Sequence, residues 1–204
     1  MSIDMIKKII PPPAVINEKI TIDWGRLESE LGIQLSNDYK NLIDDYNGVN
    51  DWGKAESRLG ILLPEDYKSF IDEYGIGRIN GFLWIFSPFV DNPYINLIEQ
   101  AKEINSALAE VKLHGEKFPY NFFPSEDGVL PFGITDSGEV LFWKLEKNCN
   151  WKIVINESRG PLCDEFDLGW AEFMVELLSA RLESLVLPKK EFARVADFKS
   201  LTDI

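Results

Sequence analysis

Few side chains in this sequence are of the types that usually bind metals or act as catalytic bases and nucleophiles. Its one histidine, His114, lies at the end of a predicted helix, with no second histidine or cysteine pair nearby. A cationic histidine that satisfies the last carbonyls of a helix is therefore favoured over a metal ligand or a general base. The two cysteines, Cys149 and Cys163, lie in predicted loops without a partner base, and we interpret them as reduced thiols.

The remaining chemical patterns also favour structural roles. The glycine-rich segment 75–81 is similar to a dinucleotide-binding loop, but its third glycine comes one residue late and the segment precedes a strand instead of a helix. Neighbouring carboxylates, Asp44 with Asp45 and Asp72 with Glu73, lie on predicted solvated helix faces and are not opposed across a cleft. We therefore predict no enzyme activity, no metal and no cofactor.

The elements that position these residues begin with a segment that occurs twice. Residues 23–49 (copy one) and residues 51–77 (copy two) are identical at 15 of 27 aligned positions, which indicates a tandem duplication. Each copy predicts two short helices separated by a glycine, Gly32 in copy one and Gly60 in copy two. Two repeats are too few for a solenoid, so the pattern predicts a duplicated helical hairpin inside one globular domain.

Copy two is predicted to occupy the main position in the fold. Pro64 begins its second helix, Gly75 ends that helix, and Trp52 of its first helix is expected in the core with Trp24 more peripheral. The second helix is predicted to bury Tyr67, Phe70, Ile71 and Tyr74. Copy one carries too much apolar surface to stay in water. It should pack against copy two or against a second molecule, and the second arrangement would give a homodimer.

The order of the other elements predicts an α+β fold, with an antiparallel sheet flanked by helices. Periodicity and turn residues predict a helix at 3–10, a strand at 82–88, a helix at 94–113, a meander of strands at 129–134, 139–145 and 151–156, and a last helix at 168–187. We expect residues 1–188 to form a single domain and residues 189–204 to form a C-terminal tail or short helix.

The net charge of −13 restricts the classes of partner. It argues against nucleic-acid binding, which requires lysine and arginine against phosphates. No apolar run approaches the ~18 residues of a membrane span, and the start lacks the features of a signal peptide, so we predict a cytoplasmic protein without a membrane partner.

The acidic excess is concentrated in one part of the sequence. Residues 23–74 hold 12 acidic and 5 basic side chains. Two interpretations stay open: a solvated surface that maintains solubility, or a surface that captures a basic partner. The candidate partner-binding residues are acidic side chains on exposed helix faces and in the loop before the last helix: Asp44, Asp45, Asp72, Glu73, Glu157, Glu165 and Asp167.

Two blocks of the sequence resemble the SUKH superfamily, which includes the fungal cell-wall assembly regulator and many bacterial immunity proteins. The first block is WGKAESRLGILLPEDYKSFIDEYGIGRINGFLWIFSPF, residues 52–89. The second comprises Leu130–Gly133, Asp136 with Gly138, Val140–Trp143, Trp151 with Ile153 and Val154, and Asn156–Pro161. The resemblance runs from about residue 3 to residue 187. The doubled hairpin departs from the family pattern, which has one copy.

The resemblance implies an α+β domain and a non-enzymatic, protein-binding role, with no catalytic residues to carry over. Bacterial members of this kind are similar to immunity proteins that bind and neutralise a cognate polymorphic toxin. Together with the acidic charge of the chain, the resemblance to immunity proteins implies that the partner is a basic toxin domain. An intracellular scaffold or regulator, as the fungal relative suggests, is the alternative.

Overall fold

A computed structural model describes residues 3–13, 22–40, 50–115, 118–125, 127–146, 151–158, 160–193 and 195–201. Backbone contacts divide the chain into two compact units. The larger unit consists of Met1–Pro13 with Leu63–Ile204, and the smaller unit is Ala14–Leu62.

Within the described residues, the larger unit is built on an eight-stranded sheet. Its strands in chain order are β1 (Gly77–Ile79), β2 (Leu83–Ile85), β3 (Asn121–Phe122), β4 (Gly128–Thr135), β5 (Val140–Leu145), β6 (Trp151–Asn156), β7 (Cys163–Phe166) and β8 (Phe198–Ser200). The order across the sheet is β7-β6-β5-β4-β2-β1-β8 with antiparallel neighbours, and the short β3 pairs in parallel with β4. The predicted α+β class is confirmed.

The described helices belong to both units. In chain order they are α1 (Ile3–Ile9), α2 (Trp24–Leu31), α3 (Trp52–Leu59), α4 (Glu65–Tyr74), α5 (Leu97–Leu113), α6 (Trp170–Leu178) and α7 (Lys189–Phe192). Helices α2 and α3 lie in the smaller unit and the others in the larger unit. Helices α1 and α4 both pack against α6, and α6 packs against β6.

The helix predicted over 168–187 ends earlier, at Leu178. Ala180 adopts a left-handed φ of 55°, and the backbone N–H groups of Arg181 and Leu182 turn back to donate to the carbonyl of Glu176. This closure usually has glycine at the left-handed position. Because alanine occupies it here, the local sequence gives no stop signal.

The C-terminal segment extends the sheet. After the short α7, strand β8 pairs with β1 at the edge of the sheet, whereas the sequence predicts only a tail or short helix over residues 189–204. Gly77 of β1 is required there, because a Cβ at this position would lie 2.3 Å from the carbonyl oxygen of Lys199 and 2.4 Å from the Phe198 ring. Phe198 also packs edge-on against Tyr74, with ring centroids 5.3 Å apart.

Helix α4 forms the centre of the core between the sheet and α6. The four side chains predicted to be buried, Tyr67, Phe70, Ile71 and Tyr74, are at most 2% exposed, which confirms that prediction. The Tyr67 ring lies 4.7 Å from Trp143 of β5 and 5.7 Å from Trp170 of α6, measured between ring centroids. Its hydroxyl donates a 2.6 Å hydrogen bond to the carbonyl of Phe86. The Tyr74 hydroxyl likewise donates to the carbonyl of Ile10 at 2.6 Å.

The first helices of the two copies adopt the same capped form. The Asp23 side chain accepts a hydrogen bond from the N–H of Arg26 in α2, and Asp51 accepts from Lys54 in α3. Both helices end at a left-handed glycine, Gly32 and Gly60. In copy one, residues 37–40 are helical, and residues 41–49 with the predicted site residues Asp44 and Asp45 lie outside the described residues.

The expectation that Trp52 lies in the core is wrong. Trp52 and Trp24 are both half-buried, and the buried residue of α3 is Ala55. The tryptophan at the start of each copy therefore does not distinguish them. The tyrosine of the second helix does: Tyr67 is 0% exposed, and its counterpart Tyr39 is 48% exposed.

Replacing Tyr67 by phenylalanine should lower the free energy of unfolding by about 1–2 kcal/mol, because the buried carbonyl of Phe86 loses its donor. The matched substitution Tyr39→Phe, at the exposed counterpart, should change it by less than about 0.5 kcal/mol. Urea unfolding followed by tryptophan fluorescence measures both values. Equal losses from the two substitutions would contradict the assignment of α4 to the core.

Candidate partner-binding surface

The edge strand β7 and its flanking loops bring three of the predicted acidic residues to one end of the sheet. Glu157 follows β6, Glu165 lies in β7, and Asp167 lies between β7 and α6. The structure gives these three carboxylates different surroundings. They therefore differ in what they offer a partner.

Glu157 shapes its own loop. One of its carboxylate oxygens accepts a hydrogen bond from the N–H of Leu162 at 2.9 Å. The side chain also fills the space beside Gly160, where an added Cβ would come within 2.0 Å of that oxygen. The carboxylate thus closes the turn between β6 and β7.

Glu165 is held by basic residues of the neighbouring strands. It accepts hydrogen bonds from the ammonium of Lys144 at 2.9 Å and from the hydroxyl of Tyr120 at 3.1 Å. Lys152, which is paired with Lys144 across β5 and β6, lies 3.8 Å from its other oxygen. The charge of Glu165 is therefore offset by Lys144 and in part by Lys152, which also forms a 3.0 Å ion pair with Glu146.

These contacts determine the protonation of Glu165. Partial burial by itself would raise its pKa, but the hydrogen bond and charge of Lys144, the hydrogen bond from Tyr120 and the charge of Lys152 outweigh burial. The pKa of Glu165 consequently lies below its ordinary value. The carboxylate is ionised at neutral pH and is part of a fixed network on the face of the sheet.

Asp167 lines a cleft of about 340 Å³ at the start of α6. The lining residues are Pro64, Asp66, Trp151, Asp167, Leu168, Gly169 and Trp170. Asp167 is exposed, while Asp66 and Trp151 are half-buried. Two carboxylates beside an indole form a site suited to a positively charged side chain, since aromatic faces and carboxylates both attract cations.

Asp66 has a structural role that the sequence does not predict. One of its oxygens accepts from the N–H of Tyr67 in its own helix at 2.9 Å. The other accepts from the N–H of Ala171 at 2.7 Å, in the first turn of α6. Gly169, the N-cap residue of α6, has no side chain with which to cap the helix, so Asp66 of α4 supplies the acceptor. A glycine at the N-cap position indicates that another residue must supply the acceptor for the first N–H groups of the helix, and this was the feature of the sequence that could have predicted the contact.

Asp72 and Glu73 lie on α4, six and seven residues beyond Asp66, which places them about 10 Å away along the helix. Both are half-buried. Glu73 forms a 2.6 Å ion pair with Lys7 of α1, and this hydrogen-bonded contact raises the pKa of Lys7. The structure therefore does not bring all the predicted acidic residues into one patch.

The described residues contain no group of three or more histidine, cysteine, aspartate or glutamate side chains able to hold a metal ion. Burial raises the pKa of the Cys163 thiol, whereas a nucleophilic cysteine has a lowered pKa. His114 follows α5 directly, with its Nδ1 2.9 Å from the carbonyl of Glu110, at the predicted helix end. Among the described helices, none is long and apolar enough to cross a membrane.

Comparison with known families matches residues 49–173 to the SUKH_6 family, described as SMI1-KNR4 cell-wall. The match covers more than half of the chain, and the protein belongs to this family. No curated protein and no solved structure matches the chain. The matched range contains all of copy two and begins at the last residue of copy one, so copy two is the copy that corresponds to the family.

Glu165→Gln should lower stability at neutral pH, and its difference from the wild type should disappear in acid. Because the pKa of Glu165 is lowered by folding, its ionised form stabilises the fold above the pKa of an unfolded glutamate, about 4.3. That contribution is lost as the pH falls through the lower pKa of the folded protein. Urea unfolding at pH 7, 5, 4 and 3 measures the difference.

Glu110→Gln, at an exposed position on α5, removes the same charge and is the matched control. It should show little difference from the wild type at any of these pH values. A Glu165→Gln difference that is the same at pH 7 and pH 3 would contradict the assigned network.

Proposed function

We propose that this protein is an immunity-type binding protein, which captures a cognate toxin domain in the cytoplasm and neutralises it stoichiometrically. Membership of the SUKH family, which includes immunity proteins, is the observation that carries the proposal. The family is generally non-catalytic, which supports a binding role over an enzymatic one.

The charge supports a basic partner. At a net charge of −13, the protein attracts positively charged surfaces over about 8 Å at physiological salt and more weakly beyond that distance. The cleft beside α6 offers Asp167 and the indole of Trp151 to an arginine or lysine of the partner, while Asp66, whose two oxygens accept from backbone N–H groups, adds its charge to the wall of the cleft. We place Asp167 at this contact because it is exposed and lines the cleft.

The other candidate residues support the surface in different ways. Glu73, Glu157 and Glu165 each have an intramolecular partner and hold local structure. A toxin would have to compete for these contacts, so we give them a secondary role in binding. Asp72, which is half-buried on α4 and does not line the cleft, is likewise given a secondary role.

An intracellular scaffold or regulator is the second proposed function. It is favoured by the description of the matched family, SMI1-KNR4 cell-wall. The two functions differ in genomic context: an immunity protein is expected beside a toxin gene, whereas a regulator is expected without one.

The direct test is co-expression with the C-terminal domain of a toxin encoded beside this gene. We expect a 1:1 complex in gel filtration and loss of the toxin's activity when the two chains are equimolar. A toxin domain that stays active and elutes separately would exclude it as the cognate partner and favour the regulator.

Association with the toxin domain should be sensitive to salt. The measured on-rate should fall by a factor of roughly 10 or more between 50 and 500 mM NaCl, because ions screen the attraction between the two chains. Stopped-flow fluorescence measures this rate. An on-rate that stays constant over this range would rule out electrostatic steering.

One substitution tests the cleft itself. Asp167→Asn should lower the on-rate at 50 mM NaCl by about threefold and should also speed dissociation, because a cation of the partner loses its acceptor. Glu110→Gln removes one charge from α5, which does not line the cleft, and is the control. Equal effects of the two variants would show that net charge matters and that the cleft does not.

A further inference from the structure

We propose that β7 pairs along its outer edge with an extended, basic segment of the partner toxin domain. The segment adds a strand to the sheet, antiparallel to β7, and places a lysine or arginine in the cleft that Asp167 lines. This inference rests on the proposed function, since the partner is the basic domain captured there, and it assigns the part of the surface that binds main chain.

Strand β7 lies at the edge of the sheet. Within the part of the chain that the structure describes, it pairs with β6 on one side and with no strand on the other. The register between β6 and β7 shows which backbone groups point outward. Glu157 donates its N–H to the carbonyl of Leu162 at 3.0 Å, one step beyond the paired residues Asn156 and Cys163.

Hydrogen-bonded and non-hydrogen-bonded pairs alternate along an antiparallel ladder. Residues 162, 164 and 166 therefore bond to β6, and Cys163 and Glu165 turn their N–H and C=O groups away from it. No other described residue forms a hydrogen bond with these outward backbone groups. The Glu165 carboxylate is held by Lys144, but its main chain takes no part in that contact. A strand that binds the main chain leaves the ion pair intact.

The cleft lies at one end of this edge. Asp167 follows the last residue of β7, and Trp151 is the first residue of the antiparallel neighbour β6, so both lie at the same end of the sheet. Both line the cleft. A segment antiparallel to β7 begins at this end. A lysine or arginine just before its paired residues therefore meets the carboxylate and the indole.

Charge favours a basic segment over a second copy of this chain. Symmetric pairing of two β7 strands centred on Asp164 or on Glu165 places that carboxylate directly opposite its counterpart, which is destabilising. Pairing centred on Cys163 places Pro161, which has no N–H, opposite Glu165. Charged side chains on an edge strand prevent such self-association. Lysines of a partner strand meet the same positions with the opposite charge.

Two exposed leucines lie beside the edge. Leu162 directly precedes β7 and is 40% exposed, and Leu185 is 82% exposed. The N–H of Leu185 donates to the carboxylate of Asp164 at 2.9 Å, which holds this leucine on the same face of the sheet as Asp164. A partner lysine opposite Asp164 would have the carboxylate near its ammonium and the leucine against its methylene groups.

The first test is a titration of ¹⁵N-labelled protein with the peptide Val-Lys-Val-Lys-Val-Lys, followed by NMR. The amide-proton resonances of Cys163 and Glu165 should move downfield, because their N–H groups gain acceptors. Those of Asp164 and Phe166, which already bond to β6, should move less. The same peptide with glutamate in place of each lysine is the charge control and should leave all four resonances in place.

Three results of the titration would overturn the proposal. Shifts at Trp151 and Asp167 without shifts at Cys163 and Glu165 would mean that the peptide binds through its cations alone. Equal shifts with the two peptides would exclude selection by charge. A lysine peptide that shifts none of these resonances would show that the edge does not accept a strand.

The second test uses the complex with the toxin domain. Cys163→Pro removes the outward N–H and keeps the bonds to β6, so we expect it to retain a cooperative unfolding transition. Cys163→Ala keeps the N–H and controls for the loss of the thiol. The Kd of Cys163→Pro should exceed that of Cys163→Ala by a factor of roughly 10, as measured by isothermal titration calorimetry.

The outcomes separate this inference from the proposed function. A complex that both variants form equally tightly would overturn the strand pairing and leave the proposed function standing. If the wild type forms no complex, the proposed function fails, and the peptide titration alone decides whether β7 accepts a basic strand. A wild-type dimer in gel filtration that Cys163→Pro converts to a monomer would assign the edge to a second copy and overturn the proposal.

Discussion

The larger unit depends on the burial of Tyr67 between the sheet and α6. Its ring contacts Trp143 on one side and Trp170 on the other, and its hydroxyl donates to the carbonyl of Phe86 in the segment after β2. A single side chain thus joins a helix, a strand, a second helix and a loop. Because the phenol has a large apolar ring and a hydrogen-bond donor, it fills space in the core and at the same time supplies a hydrogen bond to the buried carbonyl of Phe86.

The candidate surface follows from this packing. With Tyr67 in place, the preceding residue Asp66 lies against the first turn of α6 and caps it from another helix. The same contact forms one wall of the cleft that Asp167 and Trp151 complete. The residues that stabilise the fold and those offered to a partner are therefore neighbours, and a variant of Asp66 would disturb both. Asp167 is the better probe of binding because it is exposed.

Net charge and local charge give different information about this protein. The value of −13 predicts attraction of basic partners at long range, and it comes from composition alone. Three of the carboxylates selected from the sequence have partners that only the fold supplies: Lys7 for Glu73, the N–H of Leu162 for Glu157, and Lys144 with Lys152 for Glu165. The sequence shows that acidic residues are abundant and predicts that they attract a basic partner as a group. Which of these carboxylates can contact a partner depends on strand register and helix packing.

The sequence by itself determined the features that depend on neighbouring residues. The caps of α2 and α3, the buried face of α4 and the α+β order of elements follow from periodicity and from residues a few positions apart. The tertiary structure decided what depends on distant residues. It placed β8 against β1, ended α6 at a left-handed alanine and paired Glu165 with lysines of other strands. It also decided between two copies that are identical at 15 of 27 positions: Tyr39 and Tyr67 both lie in an Asp-Tyr-Lys sequence, but long-range contacts bury Tyr67, whereas Tyr39 is 48% exposed.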